Sequence, residues 1–98
     1  MRRAARKDAN HNAIAAELVA RGYSVADTSQ IGNGFPDIVV GGVNCWGEAV
    51  NWLFEIKDPD KPLSARKLTD KEADFLTNWR GLYAVILTAD EAIALLEA

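Results

Sequence analysis

Along this chain the spacing of apolar residues switches between a helical repeat and a strand repeat, and each switch marks an element. From about residue 8 to residue 21, Ile14, Leu18 and Val19 form an apolar stripe among alanines, and Gly22 suits the position just past a helix end. Asp8 falls where an N-cap or first-turn carboxylate is favoured. Residues 23–27 predict a first strand and residues 29–34, with Gly32 and Gly34, a turn. A second strand is predicted at about 36–41, followed by a long glycine-containing connection over 41–51 and a third strand at 51–57. These three strands read as an antiparallel meander.

Pro59 and Pro62 stop the third strand, because neither can donate to a ladder. Residues 64–67 are a short polar passage. Thr69 followed by Glu72 is a capping-box pattern, and it opens a helix that carries Phe75, Leu76 and Trp79 on one side and ends at Gly81. The continuous apolar run 82–87 predicts a buried strand. Asp90 then caps a final helix over 91–97, with Ile93, Leu95 and Leu96 for packing. The predicted architecture is an α/β fold of order αβββαβα: one domain spanning 1–98, with a single mixed sheet flanked by helices.

Composition changes this picture little. With 98 residues, 49% apolar and 26% charged, the chain has the make-up of an ordinary globular domain with a modest core, so self-association would help it. No apolar run approaches the ~20 residues that span a bilayer. The basic start is not followed by an apolar segment of the secretory kind, and one cysteine, Cys45, excludes an internal disulfide. A cytoplasmic location is the expectation. Cys45 and the single histidine, His11, also argue against a structural zinc site. The net charge of −3 is unevenly spread. Residues 1–67 hold nine Lys/Arg against eight Asp/Glu, whereas 68–98 hold two against six. The basic clusters Arg2, Arg3, Arg6, Lys7 and Lys61, Arg66, Lys67 could grip phosphate, or could be solvated termini and loops. The acidic C-terminal third predicts that nucleic acid would approach the opposite face.

The chemistry is concentrated in two strands. Asp37 opens a run of β-branched residues, and Glu55 and Lys57 alternate with Phe54 and Ile56, which puts both charges on one face. Burying an unpaired carboxylate costs several kcal/mol, so that face should border a cleft, a metal or a partner. Mg²⁺ or Mn²⁺ takes hard oxygen ligands and needs only one or two carboxylates. Asp37 and Glu55 can supply these, with the carbonyl of Ile56 as a third oxygen. Lys57 could then orient water, lower its pKa or stabilise charge on a phosphate. The competing reading is an Asp in a turn and a Glu–Lys pair on an exposed sheet face. Acid-x-base triplets arise by chance, so spacing leaves the two readings open.

The order Pro36-Asp37 … Glu55-Ile56-Lys57 resembles the PD-(D/E)xK nucleases. More narrowly, the chain is similar to the small stand-alone VRR-NUC (virus-type replication-repair nuclease) domains of phages and bacteria. The likeness runs through Asp8-Ala9-Asn10, Gly32 to Gly41, Phe54 to Asp58, Lys61 to Ser64, Leu68 to Glu72 and Trp79-Arg80-Gly81. It implies a restriction-endonuclease-like core and a Mg²⁺- or Mn²⁺-dependent endonuclease, with metal on Asp37, Glu55 and Ile56 and with Lys57 catalytic. It further implies a homodimer acting on branched, Holliday-junction-like DNA in a bacterial or phage-infected cell. Two departures leave a fourth site residue open. Asp8 stands near where many relatives carry a glutamate, with Glu17 less well aligned. Glu72 stands where many carry a glutamine, and it can join a metal or close the capping box.

Other readings remain beside this one: a non-catalytic DNA-binding or assembly module that keeps the fold, and a restriction-type duplex endonuclease. His11, near the apolar stripe of the first helix, reads as structural or catalytic. Trp46 in the long connection could stack on a base or close a dimer interface. Trp52 shares a face with Phe54 and Ile56 and reads as core or interface, and Trp79 reads as core.

Overall fold

The computed structural model describes residues 8–98. Arg2, Arg3, Arg6 and Lys7 lie outside the described residues. Element order is α1 (His11–Ala20), β1 (Ser24–Asp27), β2 (Ile38–Val43), β3 (Ala49–Ile56), a 3₁₀ turn (Leu63–Arg66), α2 (Asp70–Asn78), β4 (Tyr83–Ile86) and α3 (Ala89–Glu97). The strands form one sheet in the order β1-β2-β3-β4. β1, β2 and β3 are the expected antiparallel meander, while β4 joins β3 in parallel after the α2 crossover. The αβββαβα order therefore holds, as a mixed α/β fold with one four-stranded sheet and three helices.

Register decides which side chains share a face. Ile38 pairs with Phe54, which pairs with Ala84, and Val40 pairs with Trp52. These residues, with Ile56 and Ile86, point to one side and meet Ile14 and Leu18 of α1 and Ala92, Ile93 and Leu96 of α3 in the main core. Trp52 stacks on Phe54 at 5.7 Å, as its shared strand face led one to expect. The opposite side carries Val39, Leu53, Glu55 and Tyr83, since Val39 pairs with Leu53 and Leu53 with Tyr83. Helix α2 roofs this side: Phe75 meets Tyr83 at 5.6 Å and Phe35 at 5.2 Å. The sheet thus has one dry face and one face shared between a small aromatic cluster and charge.

Several boundaries differ from expectation for local reasons. The long connection after β2 is instead a tight hairpin: Asn44 Oδ1 accepts from the N–H groups of Trp46 and Glu48, and Gly47 takes φ +78°. The asparagine supplies a turn that glycine content alone does not specify. Helix α1 begins at His11 because Asp8 is occupied elsewhere. Thr88, not Asp90, caps α3, accepting from Glu91 N–H at 3.1 Å. At α2 the capping box forms as expected, with Thr69 and Glu72 exchanging hydrogen bonds. The run 82–87 is only half buried: β4 is an edge strand, and Leu82 and Val85 are exposed. Trp79 ends α2 exposed rather than in the core.

The loop before β2 is seated on α2 through Gly34. At φ +80° it lies in the left-handed region, and a Cβ there would overlap the backbone carbonyl of Lys71. Gly32 has a similar φ of +78° but open space around it. Gly32→Ala should therefore cost about 1–2 kcal/mol of backbone strain. Gly34→Ala should cost clearly more, because the loop must also lift from α2. Urea unfolding of both variants checks this, and equal losses would place the loop away from the helix.

Candidate active site

Asp37 precedes β2 and Glu55 lies near the end of β3, so the meander brings a carboxylate from each strand together at one end of the sheet. Backbone bonds fix the approach: Asp37 N–H donates to the Phe54 carbonyl at 3.0 Å, and Thr28 N–H donates to the Asp37 carbonyl at 2.9 Å. The Asp37 carboxylate then accepts from Ile56 N–H at 2.7 Å. Within a strand the N–H and C=O of one residue point the same way. The Ile56 carbonyl therefore also faces the Asp37 side.

Glu55 is almost wholly buried, at 3% exposure, and one of its oxygens, Oε1, has no hydrogen-bond partner among the described residues. Its pKa is pushed up to about 9, first by burial, then by the negative charge of Asp37 and a hydrogen bond with it, then by Glu72. Lys57 opposes this shift without cancelling it. At neutral pH Glu55 is thus held towards its protonated form beside Asp37.

Lys57 lies on the same face as Glu55, 3.6 Å from Glu55 Oε2 and 3.0 Å from Glu72 Oε1. Burial lowers its pKa, but the Glu72 hydrogen bond and the charges of Glu55, Glu72 and Asp8 outweigh that, so its ammonium is held above the usual lysine range. Lys57 is therefore a cation and hydrogen-bond donor rather than a base. One of its three N–H donors is committed to Glu72, and Glu55 lies just beyond hydrogen-bond range. Glu72 answers the question left by its sequence position by doing more than capping. Its Oε1 accepts from both Thr69 N–H and Lys57 Nζ. Burial raises its pKa, but the Thr69 N–H and Lys57 pull it below the ordinary range.

Asp8 does not cap α1. It pairs with Lys61 at 2.7 Å, on the flank of the Lys57 cluster. Lys61, expected among the phosphate contacts, is thus already paired, while Lys67 is exposed and Arg66 half-buried. The residue before α1 is Asn10, whose side chain donates to the carbonyls of Lys57 and Leu87 and so ties the ends of β3 and β4 to the helix. His11 is buried, with neither ring nitrogen hydrogen-bonded among the described residues, and Nε2 is 3.7 Å from Asp27 Oδ2. It sits on the core side of the sheet, away from Glu55, in keeping with a structural role. Trp46 is 80% exposed at the hairpin tip.

The residue missed by the sequence reading is Tyr83, hidden inside an apolar run. It stands on the Glu55 face, and its hydroxyl is buried without a partner. Only strand register could have placed it there. A concavity of about 460 Å³ beside α2 is lined by Asn33, Lys71, Phe75 and Trp79 among others. None of the carboxylates discussed above lines it, so this hollow and the charged cluster are separate features.

The donor set fits a hard divalent cation: two apposed carboxyls, one with an unpartnered buried oxygen, and a carbonyl facing them. Among the described residues no group of three or more His, Cys, Asp or Glu side chains is disposed to hold a metal. Any such ion would therefore depend on backbone, water and substrate oxygens. Among the described residues no helix is long and apolar enough to cross a membrane.

Because the folded protein holds the Glu55 proton more tightly than the unfolded chain, this group favours folding fully below about pH 4.5. The advantage fades as pH rises towards about 9. A cation between Asp37 and Glu55 would replace that proton. Thermal unfolding in EDTA should therefore lose stability from pH 6 to 9, and the gain from added Mn²⁺ should grow over the same window. Glu55→Gln should flatten both trends; a Mn²⁺ gain independent of pH and of Glu55 would move the metal elsewhere. Comparisons of the chain with protein-family models, with curated proteins and with solved structures return no match.

Proposed function

We propose that the protein is a Mg²⁺- or Mn²⁺-dependent DNA endonuclease of the VRR-NUC type that acts as a homodimer on branched DNA. The observation that carries this reading is the apposition of Asp37 and Glu55, with the charged Lys57 beside Glu55. Two carboxyls forced together at such cost are explained by a function that separates them with a cation. Asp37, Glu55 and the Ile56 carbonyl would hold the metal. When bound, it supplies positive charge against the phosphodiester and acidifies water for attack.

The remaining roles belong to the chain. Glu55 gives up its proton on loading. Lys57, fixed by Glu72, points its free N–H donors at a phosphate oxygen and stabilises the charge that develops during hydrolysis. Asp8 and Glu72 act around Lys57 rather than as ligands: Asp8 adds negative field and Glu72 aims the ammonium. Of the expected DNA contacts, Arg66 ends the 3₁₀ turn and Lys67 follows it, while Lys61 is free to bind phosphate only by leaving Asp8. The two-fold symmetry of a four-way junction matches two equivalent sites in a dimer. The absence, among the described residues, of a third acidic ligand favours one alternative, a DNA-binding module without catalysis.

Incubation with four-way junction, flap and linear duplex DNA, in Mn²⁺ and in EDTA, tests the reading. Cleavage should require metal and prefer the branched substrates. Asp37→Asn and Lys57→Ala should each slow it by at least about 10²-fold. Binding without cleavage in any metal would favour the non-catalytic module, and variants that cut like wild type would assign the activity to a contaminant.

A further inference from the structure

Tyr83 carries a buried hydroxyl that the fold leaves unused. It opens β4 in register with Leu53, so its side chain stands on the face of Glu55 and Lys57, one pleat along from Glu55. Its ring is held against Phe75, which Phe35 and Trp79 brace in turn at 5.2 and 5.1 Å. The hydroxyl has no hydrogen-bond partner among the described residues. Buried polar groups in folded proteins are nearly always satisfied, so an exception calls for a ligand or a function.

The surroundings restrict what the ligand can be. Burial raises the phenol pKa first, and the charges of Glu55, Glu72 and Asp37 raise it further. The hydroxyl therefore keeps its proton and has it to donate. Glu72 already accepts from Lys57 and Thr69, and Asp37 from Ile56. Glu55 Oε1 is buried without a partner, and the nuclease reading gives that oxygen to the metal, so with the metal in place an acceptor for the hydroxyl has to arrive from outside. An anionic group admitted beside Lys57 brings acceptor oxygens into this space, and a phosphodiester has two non-bridging ones.

We propose that Tyr83 is a further catalytic residue of this site, donating its hydroxyl hydrogen to a non-bridging oxygen of the phosphodiester being cut. This rests on the nuclease reading. The phenol keeps its proton throughout, and no bond to it forms or breaks. It acts as a fixed neutral donor where charge develops, complementing Lys57 from the opposite strand. A neutral donor suits this position, because a second lysine would pair with the carboxylates instead of waiting for substrate.

Tyr83→Phe removes one oxygen and keeps the ring that meets Phe75. The test combines single-turnover junction cleavage in Mn²⁺, thermal unfolding in EDTA and Raman difference spectra of the tyrosine ring modes on adding uncut junction DNA with Ca²⁺. The expected result is cleavage slowed by about 10²-fold, with unfolding temperature equal to or above wild type and a donor-type Raman change that the variant lacks. Cleavage within twofold of wild type, or no Raman change, would overturn the assignment. Slower cleavage with a lower unfolding temperature would give Tyr83 a structural role instead. Wild-type protein that cuts no DNA would remove the nuclease reading itself, and this inference with it.

Discussion

Two carboxyl groups are held together at one end of the sheet, Glu55 almost wholly buried and Asp37 half-buried. Asp37 and Glu55 come from strands that pair for ordinary reasons, through β-branched residues and a common apolar face. Their meeting is electrostatically costly, and the fold meets that cost locally. Asp37 is anchored by Ile56 N–H, Glu55 retains a proton, and Lys57 stands beside Glu55. Removing a partner would leave a buried charge uncompensated, which is worse than never having buried it. An arrangement with this much internal tension has no evident value as packing. Well-packed hydrophobic residues in place of buried ionic groups are often at least as stable.

Around this pair the remaining elements act as positioning parts. Helix α2 brings Glu72 to Lys57 through the same carboxylate oxygen that closes its own capping box, so helix initiation and lysine orientation are one event. Asn10 ties the ends of β3 and β4 to the start of α1. Asp8 and Lys61 close the flank. On the other side of the sheet, the aliphatic core of α1, α3 and the strands supplies the stability that the charged side cannot.

Much of the fold was legible in the sequence because it rests on short-range rules. Period-two alternation located β3 and assigned Glu55 and Lys57 to one face, and Thr69 with Glu72 announced the start of α2. What the sequence hid depends on partners distant along the chain. Asp8 looked like a cap until Lys61 claimed it, 53 residues away. Tyr83 looked like core because only the parallel register with β3 puts it beside Glu55. Trp79 matched the apolar side of α2, yet α2 covers the sheet only in part and leaves that ring exposed. The site's first three residues were readable as a pattern; how Glu72, Asp8 and Tyr83 relate to them required the tertiary structure.

Under the proposed function, the Glu55 proton stands in the place of a divalent cation. Anomalous diffraction from a crystal soaked in Mn²⁺ at pH 8 tests it most directly. One strong peak is expected within coordination distance of an oxygen of each carboxylate, with the Ile56 carbonyl on the same ion. A peak elsewhere, or none while the two carboxyls stay hydrogen-bonded to each other, would contradict it.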